Sequence, residues 1–570
     1  MTQSSDHMAC RTGAAELLRG LKANGIEYLF ANSGTDFPSI VEAYANLPAR
    51  EAPTPLIVPH ETAGIGMAHG YYLMTGKPQS VMVHVNVGLA NSIMGIINAA
   101  SDNIPVVVMS GRTPVTEHGR LGARATPIQY GQEMFNQSSL VADLVKFHYE
   151  MRYPEQAGML ATRATSLAIS EPRGPVYLSL PSEALAEKTE DGLAPPPAGQ
   201  VAATRSAPEP SSIARAAAWI AQARSPLIIC QRTDPAGLDA AALIRLAEAH
   251  AIPVVEPFSL RNVMASDHPL FLGYDVKDPL AAADVVIVVD CLVPWIEKHH
   301  RPDPAKRIIH IGPDPTFGRL PMRSYQADLA IAGDTALTLD ALNAALTCSP
   351  DAVATRRKLY TAMSAKRVAS ADNTALNGQA DPMSAEWMSR CLSDIMDDRA
   401  VLFTELGVVP GAMRLAGPNR LFTVPHSGGL GWALPAALGA QLADRDRLCI
   451  ACVGDGSYMF ANPVACHQIA EALRLPILII VKNNGLWNAV RRSVRNMYPA
   501  GAASQMNTMP LTSLEPLPDF TLIAKASRAY AERVTNGQDL PGALKRACAA
   551  IIEERRAALL ELQVQISDLY

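Results

Sequence analysis

Aromatic residues make up only 5% of this chain and charged residues 18%, cysteine occurs nine times in 570 residues, and no apolar stretch approaches the roughly 18–20 residues of a membrane-spanning helix. No membrane span is expected. The start, Met1-Thr2-Gln3-Ser4-Ser5-Asp6-His7, is polar and lacks the basic and apolar regions of a secretion signal, so a cytoplasmic location is expected. The net charge is −5 and Lys and Arg nowhere form a dense run, which leaves no phosphate-tracking stripe and excludes nucleic acid as a partner. The cysteines stand singly apart from Cys449-Ile450-Ala451-Cys452, which lies in an apolar run that reads as a buried strand. With no second such pair and no histidine pair beside it, neither a zinc site nor a disulfide frame is expected.

What the chain does have is core. Hydrophobic residues reach 48%, and the length suits about three or four domains or one large multilayer enzyme. Two stretches interrupt the alternation of apolar runs and helical periods: 187–212, with Ala194-Pro195-Pro196-Pro197 and Pro208-Glu209-Pro210, and 349–382, polar with a helical middle. Read as linkers, they delimit domains over 10–186, 213–348 and 383–565. In each, continuous β-branched runs such as Val106-Val107-Val108, Val285-Val286-Ile287-Val288-Val289 and Ile477-Leu478-Ile479-Ile480-Val481 alternate with helices. Apolar strands of this kind are covered on both faces, so the expected class is α/β, with three doubly wound parallel-sheet domains in series.

The strongest chemical signal lies in the third part. A buried strand, Leu448 to Val453, runs into Gly454-Asp455-Gly456-Ser457, and a second buried strand ends in Asn483-Asn484-Gly485-Leu486-Trp487. One strand end offers a carboxylate and the other amide and carbonyl oxygens, a donor set for a hard divalent cation. Mg2+ with positions left for phosphate oxygens fits it. The helix after the glycine turn adds backbone N–H groups for a diphosphate.

Twenty-six residues separate Gly456 from Asn483-Asn484, and this spacing resembles the thiamine diphosphate and Mg2+ motif of the decarboxylase and acetolactate synthase superfamily. The resemblance implies that Asp455, the Asn484 side chain and the Leu486 carbonyl ligate the metal, and that Gly454, Gly456, Ser457 and Asn484 contact the cofactor. It names the three domains as pyrimidine-binding, central and diphosphate-binding. Pro59-His60-Glu61-Thr62-Ala63 opens a helix in the first domain. In the resembling family, the glutamate at this place contacts the aminopyrimidine and assists proton removal from the thiazolium, a task suited to a carboxyl in an apolar pocket.

Asn32-Ser33-Gly34-Thr35 resembles the Asn-Pro-Gly-Ser turn of benzoylformate decarboxylases, and His84 stands 23 residues after Glu61, as the active-site histidine does there. Asn91 also matches. Gly428-Gly429-Leu430-Gly431-Trp432-Ala433-Leu434-Pro435 is similar to the glycine run of the same enzymes; by resemblance Leu430 supports the bent cofactor, while Thr404 and Glu405 serve diphosphate binding and Thr35 the cofactor. Asn32, Ser33, His426, Trp487 and Val490 are candidate pocket residues, and Trp432, Trp487 and Leu430 suggest an apolar lining. His299 and His300 are candidates for a central-domain histidine, without a gap-free match. Trp487-Asn488-Ala489-Val490-Arg491-Arg492 departs from the family's Tyr-Gly-Ala-Leu-Arg, which implies a different pocket.

The function this implies is a thiamine diphosphate- and Mg2+-dependent decarboxylase of a 2-oxo acid, with Glu61 and His84 as catalytic residues. An acetolactate synthase-like carboligase or a C–C lyase of the benzaldehyde lyase type, taking an acyloin, is the alternative; a non-catalytic cofactor-binding scaffold is a remote one. FAD in the central domain is not favoured, because Leu227-Ile228-Ile229-Cys230-Gln231-Arg232 has no glycine-rich turn. By resemblance Glu61 of one subunit meets a cofactor held by Asp455 of another, so a homodimer or homotetramer is expected.

Overall fold

The β-branched runs become the central strands of three parallel sheets in a computed structural model that describes residues 11–189 and 203–567. The polar start, Cys10 and the proline-rich Ala194–Pro197 lie outside the described residues. The first sheet contains β1 (Tyr28–Ala31), β2 (Thr54–Ile57), β3 (Gln79–Val83), β4 (Val106–Arg112), β5 (His148–Glu150) and β6 (Val176–Pro181), in the order β2-β1-β3-β4-β6-β5. The second contains β7 (Pro226–Cys230), β8 (Val254–Val255), β9 (Val285–Val289), β10 (Arg307–Gly312) and β11 (Leu329–Ala332), in the order β11-β10-β9-β7-β8. The third contains β12 (Val401–Glu405), β13 (Leu421–Thr423), β14 (Cys449–Gly454), β15 (Leu478–Asn483), β16 (Tyr530–Val534) and β17 (Ala558–Gln563), in the order β13-β12-β14-β15-β17-β16.

The first and third sheets thus repeat one strand plan. In every sheet the chain goes outward after the first strand and then returns to its other side, creating a switch point where open α/β sheets hold ligands. The switch points fall between β1 and β3, β7 and β9, and β12 and β14.

Burial on both faces explains the continuous apolar strands. In β9, Val285, Ile287 and Val289 join one core cluster while Val286 and Val288 join the other. This is the period of two expected of a strand sandwiched between helices. Among the described residues no helix is long and apolar enough to cross a membrane.

The chain divides into two compact units: residues up to Thr204 with Pro425–Ala443, and Arg205–Val424 with Asp444 onward. The stretch Pro425–Ala443, inside the 383–565 reading, groups with the first unit because of small residues. A Cβ on Gly66 would come 2.6 Å from Pro435, and one on Gly70 or Gly439 would collide with the Ala436 or Met67 carbonyl. The helices Glu61–Thr75 and Ala433–Ala443 therefore pack backbone to backbone.

The 349–382 stretch, read as a linker with a helical middle, is mostly one 27-residue helix, Pro350–Leu376, capped by Ser349. It buries only Arg356, Tyr360, Ser364 and Ala375, a stripe too narrow to register as amphipathic. Pro210 starts a helix inside the end of the other linker reading.

Candidate active site

In the first unit the site grows from the ends of β1 and β3. Asn32 to Asp36 follow β1 and His84 follows β3, so both flank the switch point. Glu61 is the first residue of the helix after β2, where His60 Nδ1 accepts from Thr62 N. The Glu61 carboxylate is buried, with Asn91 Nδ2 at 3.4 Å as a donor. Gly88 leaves it room, since a Cβ there would lie 3.3 Å from Glu61 Oε1.

His84 is held at both ring nitrogens. Nδ1 lies 2.5 Å from Asp36 Oδ1, and Nε2 lies 3.1 Å from the Gln132 side-chain nitrogen. Asp36 Oδ2 accepts from Val85 N at 3.1 Å. Val85 takes φ +34°, a strained conformation for a β-branched residue and the kind found where the surroundings over-determine the backbone. Glycines clear the space: a Cβ on Gly34 would run into the His84 ring, and one on Gly111 into the Asp36 carboxylate. The Asp36 hydrogen bond holds the His84 imidazole above its ordinary range against the effect of burial, and the charges of Asp36 and Glu61 add to it.

Sequence reasoning stopped one residue short of Asp36, although the turn before it was recognised. It had no signal for Gln132, which caps the C-terminal end of the four-residue helix Ile128–Gly131. Of the other candidates, Asn32 Nδ2 donates to Val58 O at 3.0 Å, while Ser33, Thr35 and Asn91 are exposed. His426 and Leu430 lie half-buried on a loop held by Asn98, whose Nδ2 donates to Gly429 O and whose Oδ1 accepts from Ser427. Trp432 is a core residue, edge to face with His69.

In the second unit the ends of β14 and β15 converge on one carboxylate. Asp455 is buried; Oδ1 accepts from Gly456 N at 2.7 Å, and Oδ2 from Asn484 N at 3.0 Å and Gly485 N at 2.8 Å. Burial pushes the Asp455 carboxyl up, and the N–H groups around it oppose that. Asn484 Oδ1 accepts from Leu486 N at 3.2 Å, so the turn whose N–H groups hold the Asp455 carboxylate also carries the Asn484 amide oxygen. A divalent cation and its phosphate fit these groups: the donors are hard oxygens, and the space a Cβ would fill on Gly454 is open, its nearest neighbour Ser457 Oγ at 3.9 Å. Among the described residues no group of three or more His, Cys, Asp or Glu forms a metal cluster.

Ser457 is buried in the six-residue helix Asp455–Phe460, which is distinct from the following helix Pro463–Ala472. Thr404 and Glu405 are buried at the end of β12, across the same switch point. The Trp487 ring lies against Gly456, where a Cβ would strike it, while Val490 is exposed on the helix Asn488–Met497. Sequence reasoning missed Lys482, which pairs across from Gly454 and donates to Leu406 O at 3.2 Å.

The central switch point differs. Arg232 and Asp290, after β7 and β9, form a two-point ion pair of 2.8 and 2.9 Å, and no glycine-rich turn is present there for a dinucleotide. His299 and His300 sit on a four-residue helix of the central domain, the first exposed and the second half-buried.

Three family descriptions match: thiamine pyrophosphate enzyme, N-terminal TPP binding domain, over residues 11–140; its central domain over 213–342; and its C-terminal TPP binding domain over 407–562. Benzoylformate decarboxylase of Pseudomonas aeruginosa is 27% identical, covering 96% of this chain and 97% of that protein. The acetolactate synthase large subunit of Parasynechococcus marenigrum is 24% identical, covering 97% and 88%. Among solved structures, the thiamine diphosphate-dependent 4-hydroxybenzoylformate decarboxylase of Rhodococcus jostii RHA1 is similar in fold, with a TM-score of 0.78, 22% identity, and 98% and 100% of the two chains covered.

Proposed function

Because the chain belongs to the thiamine pyrophosphate enzymes, carrying their N-terminal, central and C-terminal domains in order, we propose that it is a Mg2+-dependent decarboxylase of a 2-oxo acid, similar to benzoylformate decarboxylase. The observation that carries this reading is the His84 imidazole, held at Nδ1 by Asp36 at 2.5 Å and within the electrostatic reach of Glu61.

Asp455, Asn484 Oδ1 and the Leu486 carbonyl would hold Mg2+, and Gly454 would leave room for the diphosphate. Bound thiamine pyrophosphate supplies the sink for the electron pair that CO2 leaves behind. Glu61, buried with an amide donor at 3.4 Å, is placed to exchange a proton with the aminopyrimidine. His84 Nε2 receives the carboxylate of the 2-oxo acid and later places a proton on the carbon that lost CO2. Burial of Glu61 limits water at its carboxylate, while half-buried His84 stays in reach of solvent for reprotonation.

A dimer or tetramer and a location in the cytoplasm belong to this proposal; the assembly is tested by mass measurement in solution. Flavin does not, since the Arg232–Asp290 pair stands at the central switch point, and a yellow purified protein would contradict that.

The deciding experiment measures CO2 release and identifies products from benzoylformate and pyruvate, with thiamine pyrophosphate and Mg2+ added. Benzaldehyde from benzoylformate supports the reading. Acetolactate or acetoin from pyruvate replaces it with the carboligase, and cleavage of an acyloin with neither acid consumed replaces it with the lyase.

A further inference from the structure

The Asp36–His84 pair is built with more care than a buried ion pair requires. Asp36 spends one oxygen on Nδ1 at 2.5 Å and the other on the Val85 N–H at 3.1 Å, which follows His84 in the chain. One carboxylate thus fixes both the ring and the backbone that carries it. That backbone is strained at Val85, and two glycines, Gly34 and Gly111, clear the space for ring and carboxylate. The groups facing the imidazole are Asp36 from the turn after β1, Glu61 from the helix after β2 and Gln132 from the loop after β4. Two are acids and none is a cation.

We propose that Asp36 is a positioning residue for the reaction: it keeps a proton on His84 Nδ1 and steadies the imidazolium, so that Nε2 is the single nitrogen that meets the substrate carboxylate and gives up its proton. The inference rests on the decarboxylase reading above. In the transfer the Nε2–H bond breaks and a C–H bond forms on the carbon that CO2 left, with the electron pair from the broken C–C bond. His84 ends neutral, its remaining proton on Nδ1 against Asp36, and Nε2 regains a proton from solvent. The net change is a 2-oxo acid anion plus a proton giving an aldehyde and CO2. The Gln132 amide nitrogen, 3.1 Å from Nε2, donates to the neutral ring and so caps the state that follows transfer.

The test follows carbethoxylation of His84 against pH in the full chain, read by peptide mass mapping, beside pH profiles of kcat/KM for the 2-oxo acid decarboxylated. In the wild type the carbethoxylation midpoint is expected above the ordinary imidazole value of about 6.5, and kcat/KM should decline as pH rises through it. In Asp36→Asn the midpoint should fall to or below that value, the decline should move to lower pH with it, and kcat/KM should drop roughly tenfold to a hundredfold with cofactor affinity kept. Asp36→Glu should restore part of both. A wild-type midpoint at or below the ordinary value overturns the proposal even if Asp36→Asn fails to fold. So does a midpoint indifferent to Asp36→Asn, or one that moves while kcat/KM and its pH profile stay in place. If His84→Ala turns over at the wild-type rate while the wild-type midpoint stands high, the assignment of His84 has failed rather than its pairing with Asp36.

Discussion

The first and third sheets share one strand plan, yet the carboxylates placed around their ends are held in opposite ways. Asp455, after β14, is held by three backbone N–H groups at 2.7 to 3.0 Å. Glu61, at the start of the helix after β2, has an amide donor at 3.4 Å. A carboxylate saturated with backbone donors has its orientation fixed, which suits an oxygen ligand that must not move. One with few donors breaks little when it takes up or releases a proton, which suits proton transfer. The same scaffold thus grips one carboxylate with several backbone donors and leaves the other with few.

Substitutions can break this contrast. The largest effect is expected from Asp455→Ala, which removes the ligand and leaves the N–H groups of Gly456, Asn484 and Gly485 without their acceptor; calorimetric titration should show no Mg2+-dependent cofactor binding. Wild-type affinity in that variant would end the assignment of Asp455 as the ligand. Glu61→Gln should instead keep affinity within about tenfold while turnover falls by roughly a hundredfold to ten-thousandfold. Equal losses of binding and turnover in the two variants would erase the difference between them. His84→Ala is expected to lose about a hundredfold in decarboxylation with binding preserved, and an undiminished rate for every accepted acid would make it a structural histidine.

Two smaller effects sharpen the picture of how the Glu61 end is supported. Gly70→Ala places a Cβ on the Ala436 carbonyl, so a loss of about 1–3 kcal/mol is expected in thermal or denaturant unfolding. An unchanged midpoint would show that the two helices separate easily. The smallest concerns pH. Asp36 raises the His84 value in the folded state, so the pair contributes stability in full below about pH 6.5 and loses it as pH climbs through the raised folded value. Unfolding of wild type and Asp36→Asn should therefore converge on the alkaline side; a gap that widens with pH would reverse the sign.

Much of this was legible because it is local. Gly454-Asp455-Gly456 and Asn483-Asn484 stand at the ends of uninterrupted apolar strands, and strands of that composition sit in the middle of parallel sheets. What escaped was set by partners distant in sequence. Asp36 is acidic like many turn residues, and only its approach to His84, 48 residues on, distinguishes it. Gln132 closes a four-residue helix, Ile128–Gly131, too short to show periodicity. The stretch 349–382 reads with a helical middle, and the helix Pro350–Leu376 there buries a single narrow stripe. Trp432 looked like pocket lining and packs in the core instead, since an aromatic residue beside a glycine run carries no mark of which way it faces.

By itself, then, the sequence determined the α/β class, the three sheets and which polar residues stand at the ends of their strands, because strand burial and turn chemistry act over a few residues at a time. The tertiary structure decided which groups meet at each switch point: that Asp36 holds His84, that Arg232 and Asp290 bridge the central one, and that Pro425–Ala443 packs on the helix opened by Glu61. Such pairings depend on crossovers that bring strands far apart in the chain side by side, and on glycines whose missing side chains matter only once a neighbour occupies the space.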